Sequence, residues 1–159
     1  MTTTAGCRIE LPDESSQEML GARLADVCVA PMLIFLEGDL GAGKTTLARG
    51  FLRGLGHRGA VKSPTYTLIE PYEIDGRKVY HLDLYRVADP AELDYLGLRE
   101  MLAEEAVLLI EWPERGAGWL PPADLRIVIR HRAAGREIVL AAPGPRGERP
   151  LSILCRHFQ

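Results

Sequence analysis

The stretch Gly38-Asp39-Leu40-Gly41-Ala42-Gly43-Lys44-Thr45, followed by Thr46, narrows the folds open to this sequence more than any other feature. It fits G-x-x-x-x-G-K-[ST] without a mismatch, a pattern that works only where a strand turns sharply into a helix. The flanks agree. Met32-Leu33-Ile34-Phe35-Leu36 is an apolar run of strand length, and Leu47, Phe51 and Leu52 recur at helical spacing after the glycines. Glycines let successive backbone N–H groups turn inward around a polyphosphate, and a helix start adds unpaired donors and about half a positive charge. In such a loop Asp39, Leu40, Gly41, Ala42, Gly43 and Thr46 supply backbone, Lys44 reaches the terminal phosphates, and the Thr45 hydroxyl holds Mg²⁺.

The remaining pattern is that of one α/β domain spanning residues 1–159. Arg8–Leu11 reads as a first strand. Ser15 with Glu18 offers a capping box for a helix whose apolar stripe is Met19, Leu20, Leu24, Val27 and Cys28. Asp75-Gly76 is a turn between Thr67–Ile74 and Lys78–Asp83. Asp89 as N-cap and Pro90 at the first position start another helix, which Gly97 breaks. Ala106–Ile110 is apolar throughout, as a strand buried on both faces should be. Two more strands, Leu125–His131 and Arg136–Ala142, precede an apolar tail at 151–154 that reads as helical. The expected fold is a P-loop NTPase-like three-layer arrangement around a mostly parallel sheet with antiparallel additions.

Composition excludes several classes. No apolar run approaches the ~20 residues needed to span a membrane, and Met1–Gly6 lacks a signal-peptide pattern. Cys7, Cys28 and Cys155 lie far apart, without metal-ligand spacing, and suit a reducing compartment, so the expected location is the cytoplasm. Residues 67–115 carry twelve acidic side chains against five basic ones, a poor surface for gripping a nucleic-acid backbone. From Asp124 onward arginine dominates, through solvated strand faces or through contact with an RNA, a nucleotide or an acidic partner. No N-K-x-D sequence argues for guanine selectivity, and there is no arginine-rich lid of the kind small kinases use.

Hydrolysis of a nucleotide needs a carboxylate near Mg²⁺ and a group that orients water. Open α/β sheets place such groups at the C-terminal ends of their core strands. Asp83, ending Val79-Tyr80-His81-Leu82, and Glu111, ending Ala106–Ile110, have that address. A charge there can also simply mark a strand's exit into solvent, and the pattern does not say which of the two meets the metal. Ser63-Pro64-Thr65-Tyr66-Thr67 is either a hydroxyl-rich turn or a loop that senses the nucleotide. His81 alternates along its strand and reads as structural, and Trp112 as a packing residue.

Together these segments resemble the TsaE family, P-loop ATPases of bacterial tRNA threonylcarbamoyladenosine biosynthesis. The resemblance rests on Pro12-Asp13-Glu14, Gly38 to Thr46, Val61-Lys62-Ser63-Pro64-Thr65-Tyr66-Thr67-Leu68, His81-Leu82-Asp83-Leu84-Tyr85-Arg86, Ala88-Asp89-Pro90-Ala91-Glu92-Leu93, Glu111-Trp112-Pro113 and Gly135-Arg136-Glu137. It implies ATP binding and slow hydrolysis to ADP, and partnership with the TsaB and TsaD proteins, with tRNA reached through that complex. Carried over by position, Thr45 and Glu111 hold Mg²⁺, Lys44 binds phosphate, Asp83 is catalytic or adjacent to the metal, and Thr65 belongs to a nucleotide-responsive loop. Glu14 and Arg136 approach the nucleotide from the two ends of the chain. Two rival readings share the same loop: a small-molecule kinase, and a nucleotide-sensing module in which hydrolysis is incidental.

Overall fold

A computed structural model describes residues 6–158. Met1–Ala5, most of the stretch read for a signal peptide, lies outside the described residues. In chain order the elements are β1 (Cys7–Leu11), α1 (Glu14–Val27), β2 (Met32–Glu37), α2 (Lys44–Gly54), β3 (Ile69–Ile74), β4 (Arg77–Asp83), α3 (Glu92–Tyr95), α4 (Leu98–Ala103), β5 (Ala106–Glu111), β6 (Leu125–Arg132), β7 (Gly135–Ala141) and α5 (Glu148–His157). Among the described residues the strands form one seven-stranded sheet in the order β1-β7-β6-β2-β5-β4-β3. Neighbours β6-β2-β5-β4 are parallel, whereas β7 and β3 run against their neighbours. The expected mostly parallel sheet with antiparallel additions is what forms.

Strand alternation separates two cores and makes three layers. On one face Ile34, Leu36, Val107, Leu109, Ile127 and Ile138 pack with Leu20 and Leu24 of α1, Leu47 and Phe51 of α2, and Leu151 of α5. On the other, Leu33, Leu82, Leu108 and Ile110 pack with Leu93, Leu98 and Met101 of α3 and α4. Helices α1 and α2 approach closely because both contact points are glycine. A Cβ at Gly21 would strike the Leu47 carbonyl, and one at Gly50 the Glu18 carbonyl.

Several local expectations are corrected. The first helix is capped by Asp13, not Ser15. The Asp13 side chain accepts from Ser16 N–H at 2.8 Å, and the Ser16 hydroxyl accepts from Asp13 N–H at 3.2 Å. Aspartate caps as well as serine does, and the strand ending at Leu11 brings Asp13 to the turn first. Glu18, released from capping, pairs with Arg49 at 2.8 Å across the α1–α2 interface. Met19, expected in the apolar stripe, is more than half exposed, and Gln17 is buried instead. Asp89 closes a turn by accepting from Ala91 N–H at 3.0 Å, and α3 starts only at Glu92. Residues 64–68 fold into a turn closed by Leu68 N–H to the Pro64 carbonyl at 2.8 Å, so β3 begins at Ile69 rather than Thr67.

The cysteines, read from the sequence as far apart and without metal-ligand spacing, include one pair that the fold brings together. Cys7 and Cys155 form a disulfide, because the antiparallel β1 and the C-terminal α5 bring residues 148 apart in sequence to a Cα separation of 5.9 Å. Cys28 is free, and burial pushes its thiol up to about 12. No helix among the described residues is long and apolar enough to cross a membrane.

Candidate functional site

The site is built at one end of the parallel strands. Strands β2, β4 and β5 all end there, β7 starts there, and the turn from β1 into α1 lies beside it. After β2 the chain passes through Gly38–Gly43 and enters α2 at Lys44, three residues before Leu47, the first apolar residue of the helical spacing. Gly43 has φ 113° and ψ 19°, a left-handed backbone, and a Cβ there would overlap the Gln17 side-chain oxygen. Only glycine fits both demands.

Pleat parity then sets the chemistry. On β4, Val79, His81 and Asp83 share one face; on β5, Val107, Leu109 and Glu111 do. Val79, Val107 and Leu109 belong to the core beneath α2, so the polar members of each series face the first turn of α2. Parallel register sets Asp83 directly beside Glu111. The Thr45 hydroxyl donates to Glu111 Oε2 at 3.0 Å, and the Thr65 hydroxyl to Asp83 Oδ2 at 3.3 Å. Asp83 Oδ1 accepts from Tyr85 N–H at 3.0 Å. Residues 40–46 with Thr65, Asp83, Glu111 and Trp112 line a cleft of about 230 Å³.

Electrostatics follow from burial. Asp83 and Glu111 are almost wholly buried and lie side by side. Burial raises the Asp83 carboxyl above the usual range, the Glu111 charge adds to this, and the hydrogen bonds from Tyr85 and Thr65 partly oppose it. Burial lowers the Lys44 ammonium, against the attraction of Glu111 and Asp83. Its Nζ donates to the Gly38 carbonyl and, at 3.1 Å, to that of Asp39; it also sits 4.2 Å from the Trp112 ring centroid. Trp112 has φ 57° and packs against Tyr85 at 5.0 Å between ring centroids.

Glu14 and Arg136 flank the loop from outside the main cleft. With Asp13, Gln17, Gly41, Gly43 and Thr46 they line a second hollow of about 290 Å³. Arg136 donates to the Ala42 carbonyl at 2.9 Å and to that of Gly41 at 3.4 Å, while Glu14 pairs with Arg49 at 2.9 Å. Thr46 lines both hollows; Asp39 and Leu40 form an exposed lip.

Three residues make contacts at the site that the sequence pattern does not announce. His81, read as structural, places Nε2 at 2.6 Å from Glu111 Oε2. Its alternation with Asp83 already put both on one face. Gln17 backs Gly43, and nothing in its sequence neighbourhood marks it. Trp112 faces Lys44, a contact that only tertiary structure creates.

A glycine turn between a central parallel strand and a helix, with carboxylates ending the next two parallel strands, defines a P-loop NTPase-like α/β protein. Comparison with known proteins narrows this. The profile of the family "Threonylcarbamoyl adenosine biosynthesis protein TsaE" matches residues 11–138. The tRNA threonylcarbamoyladenosine biosynthesis protein TsaE of Haemophilus influenzae is 46% identical over 147 residues, 89% of this chain and 93% of that protein. Its Bacillus subtilis counterpart is 43% identical over 126 residues, 79% of this chain and 78% of the relative. The crystal structure of YdiB from Bacillus subtilis superposes with a TM-score of 0.85 at 31% identity, covering 100% of this chain and 99% of that one. The chain belongs to the TsaE family.

Proposed function

We propose that this chain binds ATP with Mg²⁺ in the cleft at the end of β2 and hydrolyses it to ADP, as the ATPase subunit of tRNA threonylcarbamoyladenosine synthesis. One observation carries the reading: the Thr45 hydroxyl, at the start of α2, lies against the Glu111 carboxylate, with Asp83 alongside. Hydroxyl and carboxylate oxygens are the donors that Mg²⁺ prefers, and it typically takes one or two carboxylates together with substrate phosphates. Two adjacent buried carboxylates repel one another, and a cation bound beside them relieves that repulsion. Mg²⁺ there would neutralise charge on the phosphates and draw electrons from the bond that breaks.

The protein's own groups do the rest. Thr45 Oγ1 and Glu111 would hold the cation. The backbone of residues 40–46 cradles the phosphates, and Lys44 Nζ leaves the Gly38 and Asp39 carbonyls to meet them. The Asp83 carboxylate orients the attacking water and takes up its proton, a task suited to a carboxyl that burial raises above the usual range. Thr65 donates to Asp83 and so couples the Ser63–Thr67 turn to the nucleotide. Arg136 braces the loop from behind, and the hollow it shares with Glu14 adjoins the bound nucleotide. The TsaB and TsaD proteins are the partners, tRNA is reached through them, and the work takes place in the cytoplasm. What supports these partners is family membership, together with an acidic 67–115 segment unsuited to gripping tRNA alone. The deciding experiment reconstitutes tRNA modification from purified components under single- and multiple-turnover conditions. Lys44→Ala should abolish ATP binding and stop modification after about one round per complex; unchanged multiple turnover would refute the assignment.

A further inference from the structure

Glu111 has two hydrogen-bond partners on one oxygen and little on the other. Oε2 accepts from Thr45 Oγ1 at 3.0 Å and lies 2.6 Å from His81 Nε2; Oε1 has only a longer contact to Thr45, at 3.3 Å. Because a carboxylate oxygen accepts, Nε2 is the ring nitrogen that donates. The imidazole is wholly buried, and Nδ1 has no hydrogen-bond partner. A histidine kept only to fill the core would be expected to satisfy both nitrogens, and an apolar side chain would fill the space without stranding a polar atom.

We propose that His81 is a positioning residue: its Nε2–H pins Oε2 of Glu111 and so presents Oε1 to the cation of the nucleotide site. This rests on the Mg²⁺–ATP reading above. The fold makes the contact robust. His81 stands opposite Leu109 and Asp83 opposite Glu111, so the imidazole reaches diagonally from β4 to the end of β5 inside a rigid parallel pair. Without the ring, Glu111 would be held only by a threonine hydroxyl that the cation itself recruits. His81 also accounts for how two adjacent carboxylates come to differ. Asp83 is held by groups of the Ser63–Tyr85 region, and Glu111 by β4 and α2.

The test uses three substitutions. His81→Leu removes the donor, His81→Gln carries an N–H to the reach of Nε2, and His81→Asn keeps a polar group that falls short. Affinity for ADP is measured by calorimetry in EDTA and across a Mg²⁺ titration, alongside the Mg²⁺ requirement for ATP hydrolysis. The expectation for Leu and Asn is a rise of roughly 10–100-fold in the Mg²⁺ needed for half-effect, with affinity in EDTA unchanged and Gln close to wild type. Should the Leu variant fold poorly, the contrast between Gln and Asn carries the same information. An unchanged Mg²⁺ requirement in the Leu and Asn variants would overturn the role. So would a Gln variant as impaired as Asn, or an equal loss of affinity in EDTA, which would mark a structural residue. If wild type itself shows no Mg²⁺-dependent binding or hydrolysis, the functional reading falls as well. Wild-type Mg²⁺ dependence that persists in the Leu and Asn variants removes only His81.

Discussion

Replacing Asp83 with asparagine should damage activity while improving the fold. Asparagine keeps the shape and still accepts from Tyr85 N–H, now at 3.0 Å from Oδ1. The Thr65 hydroxyl, which donates to Oδ2, can turn and accept from the new amide instead. What disappears is a buried negative charge beside Glu111. In its proposed role as proton acceptor for water, Asp83 should contribute about 10²–10⁴-fold in rate, or roughly 2.7–5.4 kcal/mol. The opposite effect on stability follows from linkage. Burial raises the Asp83 carboxyl in the folded state, so the native protein holds that proton more tightly than the unfolded chain does. Its favourable contribution is complete below the unfolded-state value and is lost as pH rises through the folded one. Asparagine has no such loss, so its advantage is full at neutral pH and shrinks on acidification. Stabilising replacements commonly give about 0.5–2 kcal/mol, and each kcal/mol moves Tm by roughly 2–4 °C at this chain length. Urea unfolding followed by circular dichroism between about pH 4 and 8, beside an ADP-release assay, measures both. A variant no more stable than wild type at neutral pH, or one whose advantage grows in acid, would refute the reasoning.

Glu111→Ala should cut Mg²⁺-dependent hydrolysis by about 10²–10³-fold, roughly 2.7–4 kcal/mol, while sparing metal-free nucleotide binding. Equal losses in both would make Glu111 structural. Gly43→Ala must hold a left-handed backbone against Gln17, and strain of about 1–3 kcal/mol should weaken ADP binding by roughly 5–150-fold in calorimetry; wild-type affinity would contradict the cradle geometry. Reducing Cys7–Cys155 opens a loop closed across 148 residues and should lower unfolding free energy by about 2–4 kcal/mol, read from denaturant midpoints with and without reductant. Alone, the chain should bind tRNA weakly and with steep salt dependence, since its middle segment is acidic. Tight binding that salt does not weaken, measured by filter retention, would count against that.

Much of the site was legible because its parts are local. Gly38 to Thr45 specify a strand-turn-helix by themselves. Asp83 and Glu111 are recognisable as strand-terminal carboxylates from the apolar runs that precede them. Strand ends were placed within a residue or two where alternation was uninterrupted. Errors came where a local preference met a tertiary competitor. Ser15 and Glu18 form a good capping box on paper, but Glu18 is drawn to Arg49 on the neighbouring helix, and Asp13 caps instead. Thr67 has a β-branched side chain, but the turn that carries Thr65 over Asp83 delays the strand to Ile69.

By itself, the sequence determined a glycine-rich turn between a strand and a helix, with acidic side chains available at other strand ends. Periodicity and turn chemistry act over a few residues, and they suffice for that much. Only the tertiary structure decided which groups share the cleft. Strand order is a long-range property, set by burying both faces of the sheet. By setting β5 between β2 and β4, it brings Glu111 between Thr45 and Asp83, and carries His81 from an isolated position in the chain to 2.6 Å from Glu111. The same packing carries Arg136 of β7 to the back of the loop and joins Cys7 to Cys155. None of these pairs is close in sequence, so no local signal could have announced them.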